Sequence, residues 1–265
     1  MSPAEALTTA ARTYCKEHFD YWSARYVKER TGKSFPEYSY TDNDYNLFPR
    51  YNVLSAILGE VEMLTGKTWP DLEQCRETLI HIGDTASSPF TVNENNIEQN
   101  AIREERDKFI HFISTITPSE LALVAPLPWR RRLPSAEQAA VRQVLLERWN
   151  YDGDYWDPLD YRCPTETIYL AKKNITANDY QAIISFISSY AAPLLLELTE
   201  DGTDAEIDIN LFHPDCYETV YCDRNYEWII YGSYESTVTF AGEALLTFIK
   251  QQFNGREELF DQWPS

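Results

Sequence analysis

The sequence has few glycines and few basic residues for its length. Only nine of its 265 residues are glycine, and none is arranged as G-x-G-x-x-G or G-x-S-x-G. Nucleotide-cradling loops and nucleophile turns need such backbone freedom, so both classes are disfavoured. The 23 lysines and arginines face 42 aspartates and glutamates, giving a net charge of −19. Because phosphate binding needs a basic face, we expect no nucleic-acid partner.

The chain also lacks a long apolar run and an export signal. Its first residues, Met-Ser-Pro-Ala-Glu-Ala, contain neither the basic nor the apolar region of a secretory signal. The longest uncharged run, 180–196, has 17 residues and includes serines and a proline, whereas a membrane helix needs about 20 apolar residues. The five cysteines are odd in number and form no C-x-x-C pair. We therefore expect reduced thiols, a cytoplasmic location and no membrane partner.

Hydrophobic periodicity predicts a helical first half. Apolar residues recur at three- and four-residue spacing over 4–31, 50–65 and 97–116, and another helix starts near Pro70 and Asp71. The segment Thr117-Pro118-Ser119-Glu120 is typical of a further helix start. A proline-bounded connection at 126–134 then separates a helical region, 1–125, from an α+β region, 126–265.

The second half changes from helical to strand periodicity. Ser135 is expected to cap a helix that runs to Trp149, and Thr176 with Asp179 is expected to form a capping box. Residues 205–211 then alternate polar and apolar side chains, as in a strand with one face in water. Strands are predicted at 194–198, 205–211, 217–222, 226–232 and 236–240, with another at 167–170 and a final helix at 242–253. The short connections predict an α+β fold with a mainly antiparallel sheet flanked by helices.

No segment contains a complete catalytic or metal-binding motif. His213-Pro214-Asp215-Cys216 brings three reactive residue types together, but neighbours on one turn rarely reach each other as a catalytic dyad requires. The Asp-rich loop at 150–161 lacks the Gly and Glu that a calcium-binding EF-hand places at positions six and twelve. We therefore expect no catalytic residues, no metal and no cofactor, with Tyr155 and Trp156 as candidates for protein contact.

Negative charge is concentrated in the predicted sheet. Residues 197–235 hold 11 acidic residues and a single basic one, Arg224. Strand alternation places Glu206, Asp208 and Asn210 on one face, where they can form an acidic patch that attracts a basic partner. Ordinary solubility is the alternative explanation. The basic cluster Arg130-Arg131-Arg132 is expected to pair with the protein's own carboxylates or to lie in a solvated loop.

Three segments carry a resemblance to known proteins. The segments are 227–242 (EWIIYGSYESTVTFAG), 127–131 (LPWRR) and 155–159 (YWDPL). They resemble parts of uncharacterised bacterial proteins of the type found as immunity proteins in polymorphic toxin systems. The resemblance implies stoichiometric binding to a toxin domain, and it transfers no functional residue.

The sequence therefore predicts a non-enzymatic immunity protein that blocks a basic toxin catalytic domain in a 1:1 complex. The alternatives are a hydrolase or metal-dependent enzyme that uses scattered carboxylates and His213, and an adaptor with no toxin partner. The candidate partner-binding residues are Tyr155, Trp156, Asp201, Asp204, Glu206, Asp208, Asp215, Glu218, Asp223, Glu227 and Glu235.

Overall fold

The computed structural model describes residues 1–30, 39–92, 95–153, 155–156, 163–190, 193–213 and 216–264. It divides the chain into two compact units, Met1–Leu127 and Pro128–Ser265. Within the described residues, no helix combines the length and the hydrophobicity that crossing a bilayer requires.

The N-terminal unit is helical, as predicted. Its helices are α1 (Pro3–Arg30), α2 (Asp42–Met63), α3 (Leu72–Thr85), α4 (Asn96–Thr115) and the short α5 (Pro118–Leu121). They pack around a core whose members include Leu7, Val53, Leu79 and Phe109, all fully buried. Burial of these side chains on four different helices is the main stabilising contribution to the unit.

Helix α2 begins eight residues earlier than the periodicity indicates. Pro49 and the polar residues before it obscure the helical pattern, yet Pro49 lies inside the helix. The start is fixed by Thr41, whose side chain accepts a hydrogen bond from the Asp44 amide while the Asp44 carboxylate accepts one from the Thr41 amide. This reciprocal capping box satisfies two backbone donors that would otherwise be unpaired.

The C-terminal unit contains three longer helices, α6 (Ser135–Trp149), α7 (Ala177–Tyr190) and α8 (Glu243–Gln252). Ser135 is the first residue of α6, and Pro134 occupies the cap position without a side-chain hydrogen bond, so the predicted Ser135 cap is wrong. The predicted capping box of α7 is confirmed, because the Asp179 carboxylate accepts from the amide and hydroxyl of Thr176 at 3.0 and 2.7 Å.

The C-terminal unit is built on a seven-stranded antiparallel sheet. Its strands are β1 (Arg130–Arg132), β2 (Thr167–Ala171), β3 (Leu194–Thr199), β4 (Ala205–Asp208), β5 (Thr219–Cys222), β6 (Ile229–Gly232) and β7 (Thr237–Ala241), in the spatial order β1-β4-β3-β5-β6-β7-β2. The predicted α+β fold is therefore confirmed. Strand β1, in the segment predicted as a connection, adds an edge to β4.

Helices cover both faces of this sheet. Helix α6 packs Val141, Leu145 and Trp149 against one face. Helices α7 and α8 pack against the other face, with Ile187 and Leu245 among the buried contacts. The prediction that one face of the sheet lies in water is therefore wrong where α6 packs. Glu206, which was expected to be exposed on that face, is 3% exposed. The predicted strand 205–211 also ends at Asp208, after which Ile209–Leu211 form a 3₁₀ turn.

Candidate functional site

Three connections meet at one end of the sheet. The strand register aligns Thr199 at the end of β3 with Thr219 at the start of β5, and Thr219 with Gly232 at the end of β6. The residues that follow Thr199 and Gly232 and those that precede Thr219 therefore lie at the same end of the sheet. We call this surface the acidic sheet end, and we define it by Tyr155, Glu200, Asp201, Tyr217, Glu218, Tyr234 and Glu235.

Glu218 is held in place at the centre of the acidic sheet end. Its carboxylate accepts a hydrogen bond from the Tyr231 hydroxyl and another from the Tyr234 amide, the latter at 2.6 Å. Its backbone φ of 44° lies in the left-handed region that a glutamate rarely adopts. Such strain persists only where surrounding contacts enforce it, and it is concentrated at functional sites.

Tyr231 anchors Glu218 from below the surface. The tyrosine is 1% exposed, and burial, followed by the hydrogen bond to Glu218, raises the pKa of its hydroxyl far above the ordinary value. The hydroxyl therefore remains a donor throughout the physiological pH range, so Glu218 is a fixed acceptor with a defined orientation.

Three tyrosines belong to the acidic sheet end. Tyr217 and Tyr234 are 63% and 62% exposed. Tyr155 is half-buried and contacts Tyr231 edge-on at 6.1 Å between ring centroids, and its ring lies 6.4 Å from that of Tyr234. Exposed tyrosines next to charged groups are typical of protein-binding surfaces, since they contribute large contact area at low entropic cost.

Asp201 occupies the tight turn between β3 and β4. It is exposed, and its Oδ1 accepts hydrogen bonds from the Thr199 hydroxyl at 2.7 Å and from the Thr203 amide at 3.0 Å. Partial burial acts to raise the pKa of Asp201, but these hydrogen bonds outweigh it and keep the pKa below its ordinary value. Asp201 is thus a fixed negative charge at neutral pH.

Two predicted residues, Asp204 and Glu206, are internal. Asp204 is fully buried and accepts two hydrogen bonds from the Arg142 guanidinium, at 2.8 and 2.7 Å. Glu206 accepts from the Trp129 indole at 2.9 Å and forms ion pairs with Arg131, at 3.5 Å, and Arg224. Because α6, the segment at β1 and the connection after β5 supply these donors, neither carboxylate belongs to an exposed patch.

Arg130 and Arg131 of β1 pair with the protein's own carboxylates, as predicted for the cluster. Arg130 forms a 2.6 Å ion pair with Glu197, and Arg131 forms one of 2.8 Å with Glu137 in addition to its contact with Glu206. Three of the eleven carboxylates counted along 197–235, those of Glu197, Asp204 and Glu206, are therefore paired with arginines inside the unit.

Three other predicted residues lie at the opposite end of the sheet or in its connections. Asp208 caps the 3₁₀ turn after β4. Asp223 is 6% exposed and accepts from the amides of Asn225 and Glu227 at 3.0 and 2.6 Å. Glu227 is exposed. Asp215 lies outside the described residues.

The structure thus brings together four of the predicted residues, Tyr155, Asp201, Glu218 and Glu235. Trp156 lies beneath them, 6% exposed, with its indole donating to the Trp149 carbonyl at 3.2 Å, so it supports the surface without forming part of it.

Sequence reasoning missed Glu200, Tyr217, Tyr234 and one nearby cation. The ammonium of Lys172 donates to the Cys216 carbonyl and lies 3.8 Å from the centroid of the Tyr217 ring. Lys172 offsets part of the negative charge at this end. The sequence does not indicate the contact between Lys172 and Tyr217, because 45 residues separate the two. For Tyr234, the available sequence signal was the turn-forming composition of the segment after β6, which predicts an exposed connection.

The segment around His213 places its reactive groups in different surroundings. His213 is exposed, and Cys216 is half-buried. Burial raises the pKa of the Cys216 thiol to about 11, although the charge of Lys172 acts in the opposite direction. The protonated thiol is a weak nucleophile at neutral pH. Across the ranges that the structure describes, no group of three or more His, Cys, Asp and Glu residues is placed to hold a metal ion.

A cleft of about 840 Å³ lies towards the opposite end of the sheet. Its lining includes Trp149, Glu227 and the start of α8 at Glu243. Lys250 and Glu166, also in the lining, form an exposed ion pair of 2.7 Å. Acidic and basic groups are mixed in this lining.

Comparison of the chain with family models, curated proteins and solved structures finds no match.

Proposed function

We propose that the protein is a non-enzymatic bacterial immunity protein that acts in the cytoplasm and binds a basic toxin domain through the acidic sheet end. The observation that carries the proposal is the carboxylate of Glu218, which the Tyr231 hydroxyl and the Tyr234 amide hold at an end of the sheet where Tyr217 and Tyr234 are exposed. The feature of the partner that the acidic sheet end recognises is a patch of arginine and lysine side chains around the partner's active site.

Charge complementarity supports this assignment of the partner. Glu200, Asp201, Glu218 and Glu235 supply four negative charges at one end of the sheet. Complementary fields of this kind accelerate encounter and disfavour acidic partners.

Preorganisation supports tight binding. Because Tyr231 and the Tyr234 amide already orient Glu218, an incoming arginine meets an acceptor that loses little conformational freedom on binding. The exposed rings can exclude water around the resulting ion pair, which strengthens it.

The first experiment is purification of the tagged protein from its native host at low and high salt. We expect one 1:1 partner with a basic domain, and an association rate that falls as salt rises because exposed charges are screened over about 8 Å at physiological ionic strength. Expression of that partner alone should arrest growth, and co-expression of this protein should restore it. A partner that is harmless or acidic would contradict the proposal.

A further inference from the structure

The helical N-terminal unit contains a cleft between α1 and α4. Its volume is about 590 Å³, and its lining consists of Glu17, His18, Tyr21, Trp22, Glu105 and Lys108. Tyr21 and Trp22 are in edge-to-face contact, with ring centroids 4.9 Å apart. A cleft with aromatic walls and a few polar groups is the usual form of a small-molecule site.

Within the part of the chain that the structure describes, two buried polar atoms of these lining residues have no hydrogen-bond partner. One is Oε2 of Glu105, a residue with no solvent exposure, and the other is the indole Nε1 of Trp22. The other carboxylate oxygen of Glu105, Oε1, accepts two hydrogen bonds, from Arg50 and Lys108, at 2.7 Å each. Since buried polar groups are almost always paired, an open acceptor and an open donor in one cleft call for an explanation.

The charges around the cleft favour a neutral ligand. The charged groups of Arg50, Arg25 and Lys108 lie 4.8, 5.4 and 5.6 Å from the centroid of the Trp22 ring. A cationic ligand would be repelled by these groups, two of which already neutralise Glu105. An anionic ligand would face the carboxylates of Glu105 and Glu17.

We propose that the cleft binds a small, neutral, planar molecule that carries an N–H donor beside a carbonyl acceptor, as an aromatic carboxamide does. The ligand's N–H donates to Oε2 of Glu105, and its carbonyl accepts from Nε1 of Trp22. The ligand's ring packs against the aromatic wall that Tyr21 and Trp22 form. This site lies wholly in the N-terminal unit, so it is independent of the function proposed for the acidic sheet end.

The probe is benzamide, compared with benzoate and benzamidine, which carry a negative and a positive charge on a ring of the same size. Binding to the full chain is followed by the indole N–H resonances in an NMR titration. The Trp22 resonance is identified by its loss in Trp22→Phe. We expect benzamide to shift this resonance in a saturable manner, with an affinity at least about tenfold higher than that of either charged analogue, equivalent to about 1.4 kcal/mol.

Two substitutions test the contacts individually. Trp22→Phe keeps an aromatic ring and removes an N–H that has no hydrogen-bond partner among the described residues, so the fold should persist. Benzamide binding, followed by ligand-observed NMR, should weaken at least about tenfold. Trp69→Phe, outside the cleft lining, is the control and should leave the affinity unchanged. Glu105→Gln should weaken binding as well.

Three results would overturn the proposal. The first is the absence of a saturable benzamide shift up to the solubility limit, which would mean that a ligand in the cleft does not reach the two atoms. The second is equal binding of all three analogues, and the third is an unchanged benzamide affinity in folded Trp22→Phe.

Discussion

Removing Arg142 should strongly destabilise the C-terminal unit. Asp204 has no solvent exposure, and its charge is matched by the Arg142 guanidinium through bonds of 2.8 and 2.7 Å. Arg142→Ala leaves this carboxylate buried and uncompensated, and among the described residues the Thr199 amide, at 3.2 Å, is its remaining donor. Breaking a buried pair in this way costs about 3–5 kcal/mol of unfolding free energy.

A urea titration measures this loss. Pulsed hydrogen exchange on strands β3 and β5 restricts the readout to the C-terminal unit. If the unfolding free energy falls by about 2 kcal/mol per molar urea, a loss of about 4 kcal/mol lowers the midpoint of the urea transition by about 2 M. Lys250→Ala is the matched control, since its 2.7 Å pair with Glu166 has the same length but is about half exposed on each side. The control should change stability by about 0.5 kcal/mol or less. Equal shifts for the two variants would refute the reasoning.

Two further perturbations test other parts of the C-terminal unit. Asp179 is 2% exposed, and the Arg256 guanidinium, with bonds of 2.7 and 3.0 Å, outweighs burial and holds the pKa of Asp179 well below its ordinary value. Asp179→Asn should lower stability at pH 7 by about 2 kcal/mol, and the difference from wild type should shrink in acid unfolding curves as the pH falls below about 4, where the aspartate is increasingly protonated; a pH-independent difference would be contrary evidence. Gly242 has a φ of 110°, and a Cβ there would lie 2.6 Å from the Glu227 carbonyl oxygen, whereas Gly202, with a φ of 74°, has open space. Gly242→Ala should therefore cost about 3 kcal/mol and Gly202→Ala about 1 kcal/mol in thermal unfolding, and the reverse order would contradict the steric argument.

Helix positions were predictable because their signals are local. The Thr176 and Asp179 pair and the Asp71 cap are recognisable within four residues of sequence, and both form in the structure. The start of α2 carries the same type of signal in Thr41 and Asp44. The apolar spacing does not extend to this start, because polar residues and Pro49 make up the first turns of the helix.

The acidic face was only partly predictable because burial depends on distant segments. Alternation correctly separates Glu206 from Ile207, since the two lie on opposite faces of β4. It does not indicate that Trp129, 77 residues earlier, donates to Glu206, or that Arg142, 62 residues earlier, neutralises Asp204. Residues in turns, such as Asp201, escape this covering because the helices pack on the faces of the sheet.

The most direct test of the proposed function is the dissociation constant of the basic partner for two charge-reversed proteins. Asp201→Lys/Glu235→Lys alters the acidic sheet end, and Asp208→Lys/Glu227→Lys makes the same change in net charge elsewhere on the C-terminal unit. If the acidic sheet end is the binding surface, the first variant should bind about 100-fold more weakly and the second within about threefold of wild type. Equal weakening in both variants, or loss confined to the second, would contradict the account.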